Sequence, residues 1–353
     1  MIRIGLLPGD GIGPEVVREA RRVLEAVAAA GLAELSFREF PHGADHFLAT
    51  GETLGDEAFA ALRDETDAIL LGAVGDPRVP DNRHAHDILL GLRFRLDLYV
   101  NFRPARLRSA RFSPLKTAGD APIDFVIFRE NTEGAYAGAG GAIRRDTPQE
   151  VAVSENLATR WGVERIVRAA FEYAERTGRS RVTLADKANA IPHVYGLWRR
   201  VFREVAASYP AIEAEQRYVD ALAMELVRRP ARFSVIVTDN LFGDILSDLA
   251  AELVGGLGLA PSANYRPGGH GLYEPVHGSA PDIAGRGEAN PLGAILSAAL
   301  LLEHAGADEG ARRIEEAVTA AIEADVVTPD LGGGHSTSQV GEWVARRIDG
   351  QAD

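Results

Sequence analysis

The sequence predicts an α/β protein with a substantial parallel component, long enough for two compact domains. Three observations carry that expectation. Short apolar or β-branched runs alternate along the chain with segments whose apolar residues recur at helical spacing. Charged and glycine-rich residues cluster at the ends of those runs, where an α/β fold gathers its ligand groups. The 353 residues, 46% hydrophobic and 25% charged, are ample for a large core.

In order, IRIGLL (2–7) reads as a strand, then comes a glycine-rich turn and a helix with Pro14 near its first turn. Val16, Val17, Ala20, Val23, Leu24 and Val27 keep that helix's apolar period. Gly9, Gly11 and Gly13 are spaced G-x-G-x-G, not G-x-G-x-x-G, so the turn reads as tight packing near a ligand, not a dinucleotide fingerprint. DAILLGAVGDP (67–77) is a second buried strand. Within 84–107 the first half is helical, and the second turns extended because Pro104 pushes Arg103 out of the α region. IDFVIFRE is a strand ending at Arg129. Residues 134–155 alternate around central turn residues, as expected of a β-hairpin arm able to pair with its counterpart in a dimer.

A helix (158–177), a strand ending at Lys187, a helix (192–208), a strand ending at Asp220 and a helix (221–229) follow. SVIVTD is another short buried strand, after which Leu241, Phe242, Ile245, Leu246 and Leu249 take up helical spacing. GLYEPVHGSAPDIAGRGEANP (271–291) shows no evident secondary structure and reads as a fixed nucleotide-binding loop. Helices at 291–305, at 309–324 and from about Gln339 close the chain.

A net charge of -13 argues against nucleic acid or an anionic membrane as the main partner. With no cysteine, disulfides and thiolate chemistry are excluded. Residues 2–7 already form a strand, no signal-like segment precedes them, and no apolar run approaches a membrane span, so a soluble, cytoplasmic protein is expected.

Asp244 and Asp248 project from one helix face, one turn apart. Such a pair suits Mg²⁺ or Mn²⁺; it equally suits a solvated acidic face, with Asp239 or Asp244 capping the helix. Arg93, Arg103 and Arg129 lie at or beside element ends and offer three guanidinium forks for a di- or tricarboxylate. Only Lys116 and Lys187 are lysines among 38 basic residues. Lysine can give up its proton where arginine cannot, so Lys187, at a strand end, is a candidate for proton transfer.

LPGDGIGPEV, LRFRLDLYVNFRP, FRENTEGAYAG, DKAN, TDNLFGDILSDLA and EPVHGSAPDIAGRGEANP follow one another over nearly the whole chain. Together they resemble the β-decarboxylating dehydrogenases, the family of 3-isopropylmalate, isocitrate, homoisocitrate and tartrate/D-malate dehydrogenases. The resemblance implies a two-domain isopropylmalate/isocitrate dehydrogenase-like α/β fold, distinct from the Rossmann fold, with a protruding β-arm. Residues 1–98 with 255–353 would bind the cofactor; 99–254, with the arm at about 134–155, would dimerise and bind substrate.

The implied chemistry is metal- and NAD-dependent oxidative decarboxylation of a 3-substituted malate in a homodimer whose active site is shared. By motif match, Asp244 and Asp248 are metal ligands, joined by Asp220 from the neighbouring subunit. Arg93, Arg103 and Arg129 match the substrate-carboxylate arginines. Lys187, also donated across the dimer, matches the residue that takes the hydroxyl proton, and Tyr136 the one that protonates C3. Asp282 matches the carboxylate on the adenosine ribose, and with Ile283 it implies NAD rather than NADP. Glu274, His277, Gly278, Ala280 and Asn290 match further cofactor contacts. Leu89 and Leu90 match the paired leucines that meet an isopropyl group, which makes 3-isopropylmalate the expected substrate. His86, where many such enzymes have an acidic residue, and the RENTEG sequence keep homoisocitrate, isocitrate, tartrate, D-malate or an analogue open.

Overall fold

The computed structural model of the chain describes every residue except 117, 118, 120, 349 and 351–353. Its backbone divides into two units. Unit 1 holds Met1–Leu98, Arg106–Asp120 and Ala251–Asp353; unit 2 holds Tyr99–Ala105 and Ala121–Ala250. Relative to the expected division, 106–120 and 251–254 fall with the first unit rather than the second.

The first elements are β1 (Ile2–Gly9), α1 (Gly13–Ala29), β2 (Leu35–Glu39), α2 (Ala44–Thr50), α3 (Asp56–Glu65), β3 (Ala68–Ala73) and α4 (Arg83–Arg95). Then come β4 (Val100–Arg106), β5 (Asp124–Glu130), the hairpin strands β6 (Gly140–Ile143) and β7 (Val151–Ser154), α5 (Arg160–Arg176), β8 (Arg181–Asp186) and α6 (Pro192–Ala206). They are followed by β9 (Glu213–Tyr218), α7 (Val219–Arg228), β10 (Val235–Thr238) and α8 (Asn240–Leu253). The chain closes with β11 (Pro261–Tyr265), β12 (Gly271–Pro275), α9 (Leu292–His304), α10 (Asp308–Glu323) and α11 (Thr337–Ile348).

In unit 1 the strand order is β2-β1-β3-β12-β11. All pairs are parallel except the antiparallel β11–β12 pair. Ile69 and Leu71 of β3 join Leu7, Phe59, Leu62, Ile88 and Leu92 in one apolar cluster under α3 and α4. Helix α9 is buried from Leu292 to Leu302, consistent with a sequence apolar on every side. Unit 2 has the order β4-β5-β10-β8-β9, with β5, β10, β8 and β9 mutually parallel. Phe102, Phe128 and Tyr173 pack ring against ring there, 5.2–5.4 Å between centroids. The expected arm is present as the antiparallel β6–β7 hairpin, whose Ile143, Val151 and Val153 are exposed.

Three expectations need correction. Asp220 does not end a strand; it lies in the first turn of α7, because the register of β9 breaks at Tyr218. Residues 271–275 are strand, not loop, and β11 precedes them unforeseen. PSANY has no apolar run to announce it, and it is buried with Asn264 donating to the Leu272 carbonyl at 3.3 Å. The elements β2, α2 and α3 were also not foreseen, since LSFRE is a half-exposed edge strand and α2 spans only seven residues.

Half-buried histidines give unit 1 a pH dependence. Burial depresses His42, His270 and His277 below their ordinary value of 6.5. His270 Nε2 lies 3.0 Å from the Leu62 carbonyl and 3.1 Å from that of Thr66, while its buried Nδ1 has no partner for a second proton. The unfolded chain therefore binds more protons than the folded one below about pH 6.5, and stability falls as pH drops from there toward the depressed folded values. His270→Gln, which keeps a donor toward the carbonyls, is expected to flatten this loss. Urea unfolding of both proteins at pH 7.5 and 5.5 checks it, and equal losses would refute the assignment.

Candidate active site

Unit 2 holds seven of the expected residues, with Arg103, Arg129, Tyr136, Asp244 and Asp248 at one place and Lys187 and Asp220 at another. Arg129, near the end of β5, is only 2% exposed. Its Nε donates to Asn240 Oδ1 at 2.9 Å and its guanidinium pairs with Asp244 Oδ1. A Cβ on Gly243 would come within 2.5 Å of the Arg129 side chain, so glycine here lets α8 lie directly on that arginine. Tyr136, in the short turn Ala135–Ala137, donates its hydroxyl to Asp244 Oδ2 at 2.8 Å. One helical turn on, Asp248 faces Arg103 at 4.0 Å, and Arg103 Nε donates to Asn101 Oδ1 at 2.8 Å.

The two carboxylates are not equivalent. Burial works to raise Asp244, but Arg129, the Tyr136 hydroxyl and Arg103 outweigh it and hold the carboxyl below its usual range. For Asp248 burial prevails, with the charge of Asp244 behind it and Arg103 against it, and the carboxyl is pushed up. A pair of hard oxygen donors in this state fits a small divalent cation, which would relieve the repulsion between them. Among the described residues no three His, Asp or Glu side chains are placed to share a metal ion.

Lys187 and Asp220 meet each other. Parallel pairing of β8 with β9 brings Asp186 opposite Tyr218, and just beyond it Lys187 Nζ donates to Asp220 Oδ1 at 2.5 Å. That bond holds the Asp220 carboxyl below its usual range. The turn carrying Lys187 is anchored by buried Asp186, which accepts two bonds from Arg199 at 2.7 and 3.0 Å and one from the Ala188 amide at 2.8 Å.

Unit 1 holds the other expected residues. Arg93, buried on α4, donates to Glu274 Oε1 at 3.0 Å, and its buried Nε has no partner. Leu89 packs on the apolar cluster and Leu90 is half-buried, whereas His86 stands exposed beside Asp87. The 276–290 stretch is a chain of turns: the Ile283 amide donates to the Ala280 carbonyl at 3.1 Å, Ala280 sits at φ 38°, and Asp282 and Gly278 are exposed. His277 Nε2 is buried and unpartnered, a polar atom suited to a bound ligand. Asn290 also braces the segment entering α9. Its Oδ1 accepts from the Leu292 amide and its Nδ2 donates to Asp330, both at 3.0 Å. The glycine-rich turn after β1 packs on this loop. The Ile12 amide donates to the Ser279 carbonyl at 2.8 Å, and a Cβ on Gly11 would sit 1.9 Å from that oxygen.

Residues 3–344 match the isocitrate/isopropylmalate dehydrogenase family. The chain belongs to it. The chain is similar to the 3-isopropylmalate dehydrogenase of Thermobifida fusca, 47% identical over 98% of both chains, and to that of Beutenbergia cavernae, 49% identical over 99% of both. Among solved structures it resembles an isocitrate dehydrogenase from Methylococcus capsulatus, with a TM-score of 0.89 and 42% identity over 99% of this chain and 100% of the other. A β-decarboxylating dehydrogenase from Thermococcus kodakarensis matches at a TM-score of 0.80 and 39% identity, over 99% and 97% of the two chains. This member of the family is accordingly an oxidoreductase, and no helix among its described residues is long and apolar enough to cross a membrane.

Around the family residues stand partners that single positions in the sequence did not reveal. Asp10, His84, Asp186, Arg199 and Tyr195 all make buried or half-buried polar bonds. Asp10 lies inside the PGDGIG motif and Asp186 inside DKAN; His84, Tyr195 and Arg199 carry no spacing signal of their own.

Proposed function

We propose that the protein oxidises (2R,3S)-3-isopropylmalate with NAD⁺ and Mg²⁺ or Mn²⁺, releasing CO₂ and 2-oxoisocaproate in cytoplasmic leucine synthesis. The observation that carries this reading is the grouping of Arg103, Arg129, Tyr136, Asp244 and Asp248, which offers carboxylate forks, an acid and two hard oxygen ligands at one place. The substrate follows the relatives over almost their full length, and the half-buried Leu89 and Leu90 suit an aliphatic substituent.

Asp244 and Asp248, with Asp220 of the partner subunit, would hold the cation, which would supply Lewis-acid polarisation at the C2 oxygen, and NAD⁺ would supply the hydride acceptor. Arg93, Arg103 and Arg129 grip the substrate carboxylates and fix its orientation. Lys187 takes the C2 hydroxyl proton. After CO₂ has left, Tyr136, oriented by its bond to Asp244, returns a proton to C3. In unit 1, Glu274, His277, Gly278, Ala280, Asp282, Ile283 and Asn290 bind the cofactor. Lys187 and Asp220, bonded to each other, serve the active site of a second copy in a homodimer. The exposed Met224 and Val227 of α7 and Ile245 of α8 support such an association, since these large apolar side chains otherwise face water.

NADH formation with Mg²⁺ across isopropylmalate, isocitrate, homoisocitrate, D-malate and tartrate tests the reading; the expected result is strong preference for isopropylmalate. Preference for a tricarboxylate would overturn the substrate and turn attention to the exposed His86, the observation that favours that second reading together with the likeness to an isocitrate dehydrogenase. Asp282→Lys is expected to weaken NAD⁺ binding by about tenfold, the worth of one bond to a charged group. Unchanged affinity in a fluorescence titration would remove Asp282 from the cofactor site.

A further inference from the structure

Helix α8 carries both Asp244 and Asp248, and its N-terminus is braced at a buried point. Asp239, 3% exposed, caps it: Oδ1 accepts from the Phe242 amide at 2.9 Å. Its Oδ2 accepts the hydroxyl of Tyr195 on α6 at 2.6 Å, and Tyr195 is itself only 1% exposed. The Tyr195 ring stacks on Phe242 with 5.4 Å between centroids, and Asn156 Nδ2 lies 3.4 Å from the Tyr195 hydroxyl. A capping carboxylate needs only one oxygen. The second oxygen of Asp239 is spent on a bond to another helix, inside a site where burying a charge is costly.

The geometry points to Tyr195 and Asp239 as positioning residues that aim the Asp244–Asp248 carboxylates at the divalent cation; this rests on the metal reading above. Asp248 lies nine residues past the cap. At 1.5 Å per residue, a tilt of about 10° at the cap displaces it by roughly 2 Å. Magnesium-like ions demand near-ideal octahedral geometry at about 2.0–2.1 Å, so a displacement of that size removes a ligand rather than stretching a bond. The neighbouring bonds extend the same brace: Asn240 Nδ2 donates to the Glu133 carbonyl at 3.2 Å and Thr238 Oγ1 to the Ala185 carbonyl at 2.9 Å.

The test is Mn²⁺ uptake by the full-length free enzyme, read as loss of the free-ion EPR signal, with no substrate and no turnover. Tyr195→Phe keeps the stacked ring and removes only the hydroxyl; Asp239→Ala removes cap and brace together; Asp239→Asn can keep both. Val167→Ala, in the α5 core, serves as a destabilised control. The expected result is Mn²⁺ affinity about tenfold weaker for Tyr195→Phe and Asp239→Ala, and within twofold of the parent for Asp239→Asn and Val167→Ala. Parent-like affinity in Tyr195→Phe and Asp239→Ala overturns the positioning role while leaving the metal site intact. So does an equal loss in Val167→Ala, which would make the effect one of stability alone. A parent enzyme that takes up no Mn²⁺, or takes it equally after Asp244→Asn, overturns the metal reading itself and this inference with it.

Discussion

Lys187→Ala is expected to lower kcat by about two to four orders of magnitude, the usual contribution of a positioned proton acceptor. The side chain is well held: it leaves the end of β8, donates to Asp220 at 2.5 Å, and opens a turn pinned by Asp186 and Arg199. Lys187→Arg separates charge from proton transfer. A guanidinium keeps the ion pair with Asp220 but cannot give up its proton at any pH the protein survives, so this variant should be almost as slow as the alanine one. NAD⁺ affinity should change little in either. Single-turnover rates of NADH appearance with saturating isopropylmalate measure the step directly, and near-normal turnover in Lys187→Ala would take Lys187 out of the proton path.

The second large effect is expected on stability, at Asp10. This buried carboxylate accepts from the Ala44 amide at 2.6 Å, from the Gly75 amide at 2.7 Å, and lies 2.9 Å from His84 Nε2. It thereby joins the turn after β1, the start of α2, the loop after β3 and the first turn of α4. Asp10→Ala leaves two amides and a fully buried imidazole without a partner at about 1–3 kcal/mol each, so unfolding should become easier by about 3–9 kcal/mol. Asp10→Asn retains one acceptor oxygen and should lose less. Urea unfolding at pH 7.5 gives both values; a loss under about 1 kcal/mol in Asp10→Ala would mean that water replaces the carboxylate.

Much of the candidate site was legible because its residues stand in contiguous motifs. Asp244, Asp248, Arg129, Tyr136 and Lys187 lie in stretches whose order along the chain points to one family, and the structure groups the first four with Arg103 in unit 2. Helices with a clear apolar period, such as α1 and α5, were equally plain. The edge strand β2 and the polar strand β11 were not, since their place in the sheet comes from neighbours and not from their own pattern. Asp220 was identified as a residue but assigned to the wrong element. Side-chain identity survives a shift of two residues at an element boundary, whereas secondary structure does not.

By itself, then, the sequence determined the alternation of strands and helices, the family and the residue types available for chemistry. These are local properties: periodicity, turn composition and the order of motifs. Which of those residues meet was decided only in the tertiary structure. Asp10 with His84 and Tyr195 with Asp239 are buried pairs separated by 74 and 44 positions. No periodicity links such positions, and a polar side chain in an apolar stretch shows its purpose only when packing has placed its partner beside it and removed the water that would otherwise satisfy both.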